Sequence, residues 1–212
     1  PNQWSNGEIP ADGYVYDVAT GDYLGYVALG SEYNKWILHT AYNEENDIVY
    51  VYTYNAAGNG LEFQIYDPVE NKFTSIREEV GEGTLADDPI VAMAYNPLDG
   101  QVYAVTLNNE LWIRIDPATG LWDEIAVLDF SPASYVQAMV YTPNNFSFTY
   151  IGINLNDETY QLVVDPETGA ITSRIRMTDE AEYVILHCYD QAIVNGAANA
   201  PQIDSIVFEG AA

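Results

Sequence analysis

The sequence has few basic residues and almost no cysteine, and each shortage excludes a class of function. Its 212 residues include six Lys and Arg but 32 Asp and Glu, giving a formal net charge of -26. Phosphate backbones and anionic head groups are bound through several cations, so this charge excludes nucleic acid and bare anionic membrane as direct partners. One cysteine, Cys188, allows no intramolecular disulfide and no cysteine-based zinc cluster. Its apolar neighbours predict a buried, inert thiol.

Long apolar runs are also absent. None approaches the roughly 20 residues of a membrane span, and no signal peptide is recognisable. The chain opens at Pro1 without Met, as expected of a mature form or an excised piece. What is abundant is apolar and aromatic surface: 48% of the residues are hydrophobic and 13% aromatic, with 18 Tyr. This composition predicts a folded core and excludes permanent disorder, and the acidity suits solubility in a salty or extracellular medium.

A fourfold repeat organises the chain. Its clearest marker is an aspartate that opens a turn, with successive separations of 50, 49 and 49 residues, at Asp17, Asp67, Asp116 and Asp165. Three of these turns begin Asp-Pro and three end Thr-Gly. The aspartate caps backbone N–H groups, proline fits the second turn position and glycine takes the left-handed one. We therefore predict that these aspartates are structural turn residues and not catalytic ones.

A second series of tyrosines runs beside the first, at Tyr42, Tyr95, Tyr141 and Tyr189. Residues 91–128 show a complete unit, in which turn signals separate four short apolar runs, at 91–95, 101–107, 110–115 and 122–128. Helical periodicity is almost absent. Four short antiparallel strands in each repeat of about 49 residues are typical of a β-propeller blade.

The blade pattern carries a resemblance to known proteins. With a tyrosine-rich inner strand, a hairpin of the type Tyr95-Asn-Pro-Leu-Asp-Gly100 and a strand ending in Asp-Pro-x-Thr-Gly, the chain resembles the loosely defined secreted bacterial and archaeal surface β-propellers. The similarity covers most of residues 14–190. It implies an all-β propeller at the cell surface or outside the cell, and it implies no particular activity.

We predict a single domain over residues 1–212, a β-propeller of about four blades. Three units span 35–80, 90–129 and 135–177, and residues 1–30 are expected to join 183–209 in a closing blade. Two alternatives remain open at this point. In the first, the chain is a fragment of a larger propeller ring. In the second, the same strands form a β-sandwich, because periodicity alone does not distinguish a closed ring of sheets from two sheets packed face to face.

No motif for a cofactor, a metal or a catalytic nucleophile emerges, and a Gly-x-Ser-x-Gly elbow is missing. The two histidines, His39 and His187, are predicted to point to opposite faces of their strands, so a shared metal site is not expected. Calcium is the one metal that the acidic loops favour, with candidate ligands Asp47, Asp157 and Glu158. These loops and Asp87–Asp88 lack the spacing of a strong calcium loop and are interpreted as solvated turns.

Aromatic residues are the strongest candidates for binding. Sugar rings stack on exposed aromatic faces, and we predict ligand contacts for Trp36, Trp122, Tyr33 and Tyr135. The leading hypothesis is a non-catalytic extracellular recognition or scaffold module that binds a protein or a neutral glycan at a propeller rim. One alternative is a carbohydrate-active enzyme or accessory domain that uses rim carboxylates. Another is a structural surface or filament subunit.

Overall fold

A computed structural model describes residues 12–17, 20–28, 37–55, 57–70, 72–129, 138–142, 147–153 and 159–176. All regular elements in these ranges are β-strands. A hairpin pairs β1 (Asp12–Tyr16) with β2 (Tyr23–Ala28). The first sheet contains β3 (Ile37–Asn43), β4 (Ile48–Tyr54), β5 (Gly60–Asp67) and β6 (Lys72–Val80). The second contains β7 (Ile90–Asn96), β8 (Gln101–Thr106), β9 (Leu111–Ile115) and β10 (Trp122–Val127). The third contains β11 (Ala138–Thr142), β12 (Ser147–Ile153), β13 (Thr159–Val164) and β14 (Ile171–Arg176).

Each of the three sheets is antiparallel, with its strands neighbouring one another in chain order. The predicted all-β class and the four-stranded repeat unit are therefore confirmed. In the second sheet, β7 and β8 meet at the hairpin that Pro97 and Gly100 predict. Gly100 has a φ of 72° and its N–H donates to the carbonyl oxygen of Asn96 at 2.9 Å. The left-handed φ is what makes glycine the favoured residue at this position.

The repeated aspartates form closely similar turns between the last two strands of each unit. In the second sheet, Asp116 Oδ1 accepts the N–H of Ala118 at 2.9 Å and Asp116 Oδ2 accepts the Thr119 hydroxyl at 2.7 Å. Gly120 closes the turn with a φ of 67°. Equivalent carboxylate-to-backbone bonds are made by Asp17, Asp67 and Asp165. The chain therefore reverses by the same local chemistry in each unit.

Removal of one turn carboxylate tests this account. Asp116→Ala is expected to lower the free energy of unfolding by about 1–2 kcal/mol, because two hydrogen bonds that hold the turn are lost. Asp123→Ala in the same sheet is the control, since Asp123 is exposed and pairs only loosely with Arg114, at 3.3 Å. Its effect should stay within about 0.5 kcal/mol. Urea unfolding measures both variants, and equal losses would contradict a capping role for Asp116.

The sheets pack radially. The first strand of the second sheet, β7, contacts both β3 and β11, the first strands of the neighbouring sheets. One core lies between the first and second sheets and is formed by Ala41, Tyr50, Tyr52, Leu61, Phe63, Leu85, Ile90, Met93, Val102, Ala104, Ile113 and Ile115. The other lies between the second and third sheets and is formed by Val91, Ala92, Ala94, Tyr103, Val105, Trp112, Leu128, Tyr141, Leu162 and Val164. The second sheet thus packs on a neighbour with each face, which two sheets in a sandwich do not do.

A side-chain hydrogen bond joins the second and third sheets. The indole N–H of Trp112 on β9 donates to the backbone oxygen of Pro166, in the turn of the third sheet, at 3.1 Å. Gly169 of the same turn lies directly against Trp112 and Ala126. The repeated turn therefore packs on the preceding sheet as well as reversing its own chain. The predicted closing segment 183–209 and Cys188 lie outside the described residues, so closure of the ring stays a prediction.

Candidate functional site

The connections between strands divide into two rims, because neighbouring strands run in opposite directions and the sheets are arranged alike. The rim called here the turn rim carries the connections β3–β4, β5–β6, β7–β8, β9–β10 and β13–β14. The opposite rim, called here the asparagine rim, carries residues 55, 57–59, 81–89 and 107–110. Repeated turns dominate the turn rim. The loops of the asparagine rim differ from one another, and non-repeating loops on a regular scaffold are where function concentrates.

A buried carboxylate joins two loops of the asparagine rim. Asp88 is only 5% exposed and lies in the connection between β6 and β7. Its oxygens accept the Thr106 hydroxyl at 2.6 Å, the backbone N–H of Asn108 at 2.5 Å and the side-chain N–H of Asn109 at 2.9 Å. The interpretation of Asp87–Asp88 as a solvated turn is therefore wrong for Asp88. Its charge is compensated by hydrogen bonds from the neighbouring β8–β9 hairpin, which is why it tolerates burial.

The β4–β5 loop on the same rim is held by a pair of asparagines. Asn55 is 6% exposed, and its Oδ1 accepts the backbone N–H of Asn59 at 3.1 Å. Its side-chain N–H donates to Asn59 Oδ1 at 3.0 Å. Gly58 between them has a φ of 68° and donates its N–H to the carbonyl oxygen of Asn55. The loop is thus ordered by its own side chains, which reduces the entropy lost when a ligand binds.

The three described loops of the asparagine rim present hydrogen-bond acceptors and carry no positive charge. No Lys or Arg occurs in its three described loops, whereas Glu82 and Asp87 are exposed carboxylates. Asn108 and Asn109 are also exposed, and each directs a side-chain N–H inward, to the Asp87 carbonyl and to Asp88. The side-chain nitrogens of both residues are therefore engaged by the β6–β7 connection. Such a surface repels anionic ligands and suits ligands that donate hydrogen bonds.

An exposed aromatic ring stands at the same rim. Tyr54 ends β4 and is 44% exposed. Tyr42 lies near the end of β3 at the turn rim, is 51% exposed and donates its hydroxyl to Asp47 at 2.8 Å. Tyr54 is not among the aromatic residues predicted from sequence to bind ligand. Tyr54 lies on the same strand face as Tyr50 and Tyr52, which are buried, so the alternation of this strand does not indicate that Tyr54 is exposed.

Of the four residues predicted from sequence to bind ligand, the described part of the chain includes Trp122. Trp122 begins β10 at the turn rim, where it is partly buried against the core of the first and second sheets. Trp36, Tyr33 and Tyr135 lie outside the described residues. The same is true of Asp157 and Glu158, whereas Asp47 is exposed in the β3–β4 turn with a φ of 52°. Within the described ranges, no three His, Cys, Asp or Glu side chains are grouped closely enough to hold a metal.

His39 lies within β3, away from both rims, and is partly buried. It lies on β3 opposite Tyr52 of β4, and burial lowers the pKa of its imidazole to about 4. Desolvation disfavours the charged imidazolium, so the side chain is neutral at physiological pH. His187, the other histidine, lies outside the described residues. We therefore expect His39 to make the stability of the protein depend on pH.

No protein-family model and no curated protein sequence matches this chain. Solved structures do. A chain of the nidogen/laminin complex superposes on 80% of this chain with a TM-score of 0.56 and 12% identity, over 57% of its own length. The match to a luciferin-regenerating enzyme covers 84% of this chain and 61% of the enzyme's chain, with a TM-score of 0.49 and 7% identity. The match to a Lactobacillus plantarum protein covers 83% of this chain and 50% of that protein's chain, with a TM-score of 0.44 and 16% identity. This chain thus spans between half and about three fifths of these structures.

The likeness to the nidogen/laminin structure, together with the radial sheets, shows that the chain has a β-propeller fold. Fold alone does not specify an activity, because propellers serve both binding proteins and enzymes. In the described part of the chain, no helix is long and apolar enough to cross a bilayer.

Proposed function

We propose that this chain is a non-catalytic recognition or scaffold module, located outside the cell or at its surface, that binds a protein or a neutral glycan at the asparagine rim. The observation that carries the proposal is the preordered, non-repeating rim built around Asp88 and Asn55. Ordered loops on a rigid scaffold bind with a smaller entropic cost than mobile ones. The structural neighbour found in a protein complex supports the protein arm of the proposal.

The chemistry of the rim supports a neutral or donor-rich ligand. Its described loops carry carboxylates and amide oxygens without a cation, and the whole chain carries a formal charge of -26. Anionic ligands usually require arginine clamps, which this rim does not offer in its described loops. Tyr54 adds an aromatic face on which a sugar ring or an apolar side chain can pack.

We also propose that Trp36, Tyr33 and Tyr135 contribute to this binding surface. In sequence, Trp36 and Tyr33 precede β3, and Tyr135 precedes β11. The equivalent segment before β7 belongs to the asparagine rim. The repeat therefore supports placing these aromatic residues on the rim that also carries Tyr54.

Two exposed tyrosines of the first sheet provide a matched test. Tyr54→Ala is expected to weaken binding about tenfold, since it removes an exposed aromatic face worth about 1–1.5 kcal/mol at the asparagine rim. Tyr42→Ala removes an equally exposed ring at the turn rim and should change the affinity by less than about twofold. The measurement is titration of oligosaccharides from a neutral glycan array, and of proteins captured from the native extracellular medium.

Two results would contradict the proposal. Equal weakening by Tyr54→Ala and Tyr42→Ala would show that no particular rim is used. Hydrolysis of a bound neutral oligosaccharide, lost on Asp87→Asn or Glu82→Gln, would establish the carbohydrate-active enzyme instead, because catalysis by paired carboxylates needs their charge and proton.

A further inference from the structure

We propose that Asp88 is the positioning residue of the asparagine rim: from beneath the surface it holds the β8–β9 hairpin so that the amide oxygens of Asn108 and Asn109 point outward, which selects a hydroxyl-rich, neutral ligand. This inference rests on the proposed function and names the ligand class for the same rim. Asp88 itself does not touch the ligand, because it is buried.

The geometry supports positioning by one carboxylate. Asp88 is distant in sequence from the hairpin, yet it accepts hydrogen bonds from the Thr106 hydroxyl, the backbone N–H groups of Asn108 and Asn109, and the side chain of Asn109. The Thr106 hydroxyl in turn accepts the N–H of Leu111 at 3.1 Å, which ties the start of β9 to the same group. Charge-assisted hydrogen bonds of this kind are about twice as strong as neutral ones.

The repeat shows that this carboxylate is not needed to build a blade. Counting seven residues back from each tyrosine of the repeated series places Asp88 before Tyr95 and Glu182 before Tyr189, but Lys35 before Tyr42 and Ser134 before Tyr141. A residue that the fold required in each unit would recur, as the turn aspartates do. Two of the four units therefore lack a carboxylate at this position, so the fold does not require one in each unit.

The orientation of the two amides specifies the class of ligand. An amide that directs its N–H groups to Asp87 and Asp88 presents its oxygen to solvent, so Asn108 and Asn109 offer acceptors. Asn59, on another loop of the same rim, has its oxygen occupied by Asn55, which leaves its side-chain N–H groups as donors. Hydroxyl groups both donate and accept hydrogen bonds, and they match this mixed surface. Ammonium groups only donate, so a lysine-rich segment matches less of it.

Hydrogen exchange tests the positioning role without any ligand. In Asp88→Asn, one acceptor oxygen becomes an N–H₂ group, so exchange of the backbone N–H groups of Asn108 and Asn109 should accelerate at least tenfold. Exchange at Gly58 and Asn59, on the same rim but without contact to Asp88, should not change. Acceleration at both hairpins, or at neither, would overturn the proposal.

A second pair of variants guards against misfolding of Asp88→Asn. Thr106→Val removes one hydrogen bond to Asp88 and should also accelerate exchange at Asn108 and Asn109. Thr106→Ser keeps the hydroxyl and should restore the wild-type rates. The same acceleration in both variants would show that only packing at Thr106 matters, which overturns the assignment.

The ligand class is tested with three probes: a neutral glucan oligosaccharide, an oligoglucuronate and an oligolysine peptide. We expect wild-type protein to bind the neutral sugar best, and Asn108→Ala and Asp88→Asn each to weaken that binding at least tenfold. Preference for oligolysine or oligoglucuronate would overturn the ligand class. Failure to bind any of the three probes would also overturn the proposed ligand class. The exchange rates at Asn108 and Asn109 test the positioning role of Asp88 independently of that result.

Discussion

Gly169→Ala is expected to lower the free energy of unfolding by about 2–5 kcal/mol. Two effects add. Gly169 has a φ of 69°, where a residue with a Cβ atom loses about 1–2 kcal/mol. A Cβ at this position would also lie 2.7 Å from Ala126 Cβ and 3.3 Å from Trp112 Cδ1, on the preceding sheet. Forcing extra volume into a packed core costs about 1–3 kcal/mol more.

The control for this prediction separates the backbone effect from the packing effect. Gly58 has nearly the same φ, 68°, but no atom lies within 4 Å of its built Cβ position. Gly58→Ala should therefore cost only the backbone part, about 1–2 kcal/mol. Gly120→Ala should resemble Gly169→Ala, because its Cβ would lie 2.7 Å from Arg77 Cβ on the first sheet. Urea unfolding at constant pH measures all three.

Equal losses for Gly58→Ala and Gly169→Ala would contradict the packing of each turn on the preceding sheet. A larger loss for Gly120 and Gly169 alone would support the radial arrangement directly, since the contact is between sheets and not within a turn. The m-value should stay constant, because the surface exposed on unfolding does not change.

Lowering the pH from 7 to 4 is expected to cost the wild-type protein about 3 kcal/mol more stability than it costs His39→Ala, the second largest effect we predict. Burial lowers the pKa of His39 to about 4 from its ordinary value of 6.5. The folded state thus binds a proton less readily than the unfolded state. The contribution of His39 to the free energy of unfolding is fully present above pH 6.5 and is lost as the pH falls from 6.5 towards 4.

Alanine is the appropriate replacement because Ala92 occupies the equivalent place on β7, where it is buried. Unfolding by urea at several pH values between 4 and 8 gives the difference between the two proteins at each pH. Titration of the many carboxylates affects both proteins alike, so it cancels in that difference. Parallel pH profiles for wild type and His39→Ala would show that the imidazole is not desolvated, contrary to its place opposite Tyr52.

The strands of the second sheet illustrate how much of the fold could be predicted. The expected runs 91–95 and 101–107 correspond to β7 and β8 within one residue at either end. Pro97 and Gly100 mark the hairpin between them, because the backbone angles of a turn depend on the residues in the turn itself. The aspartate turns were predictable for the same reason, since each carboxylate bonds groups two or three residues away.

The candidate site was less predictable. Asp88 bonds groups 18–21 residues further along the chain, so nothing in its own neighbourhood indicates that it is buried. Trp122 lies partly against the core at the turn rim, and its predicted ligand contact stays a prediction. Tyr54 was not selected, although it is the exposed aromatic residue that ends β4 at the asparagine rim. The exposure of a side chain depends on which sheets pack against its own, and local sequence patterns do not predict that packing.

The sequence by itself determined the all-β class, the repeat of about 49 residues and the chemistry of the turns. These are properties of residues close together in the chain, whose φ angles, alternation and capping groups act locally. Only the tertiary structure decided which loops share a rim, which carboxylate is buried and why the glycine of a turn tolerates no side chain. Those properties arise where residues about fifty positions apart meet, as Trp112 and Pro166 do, because burial and desolvation are set by the neighbours that folding brings together.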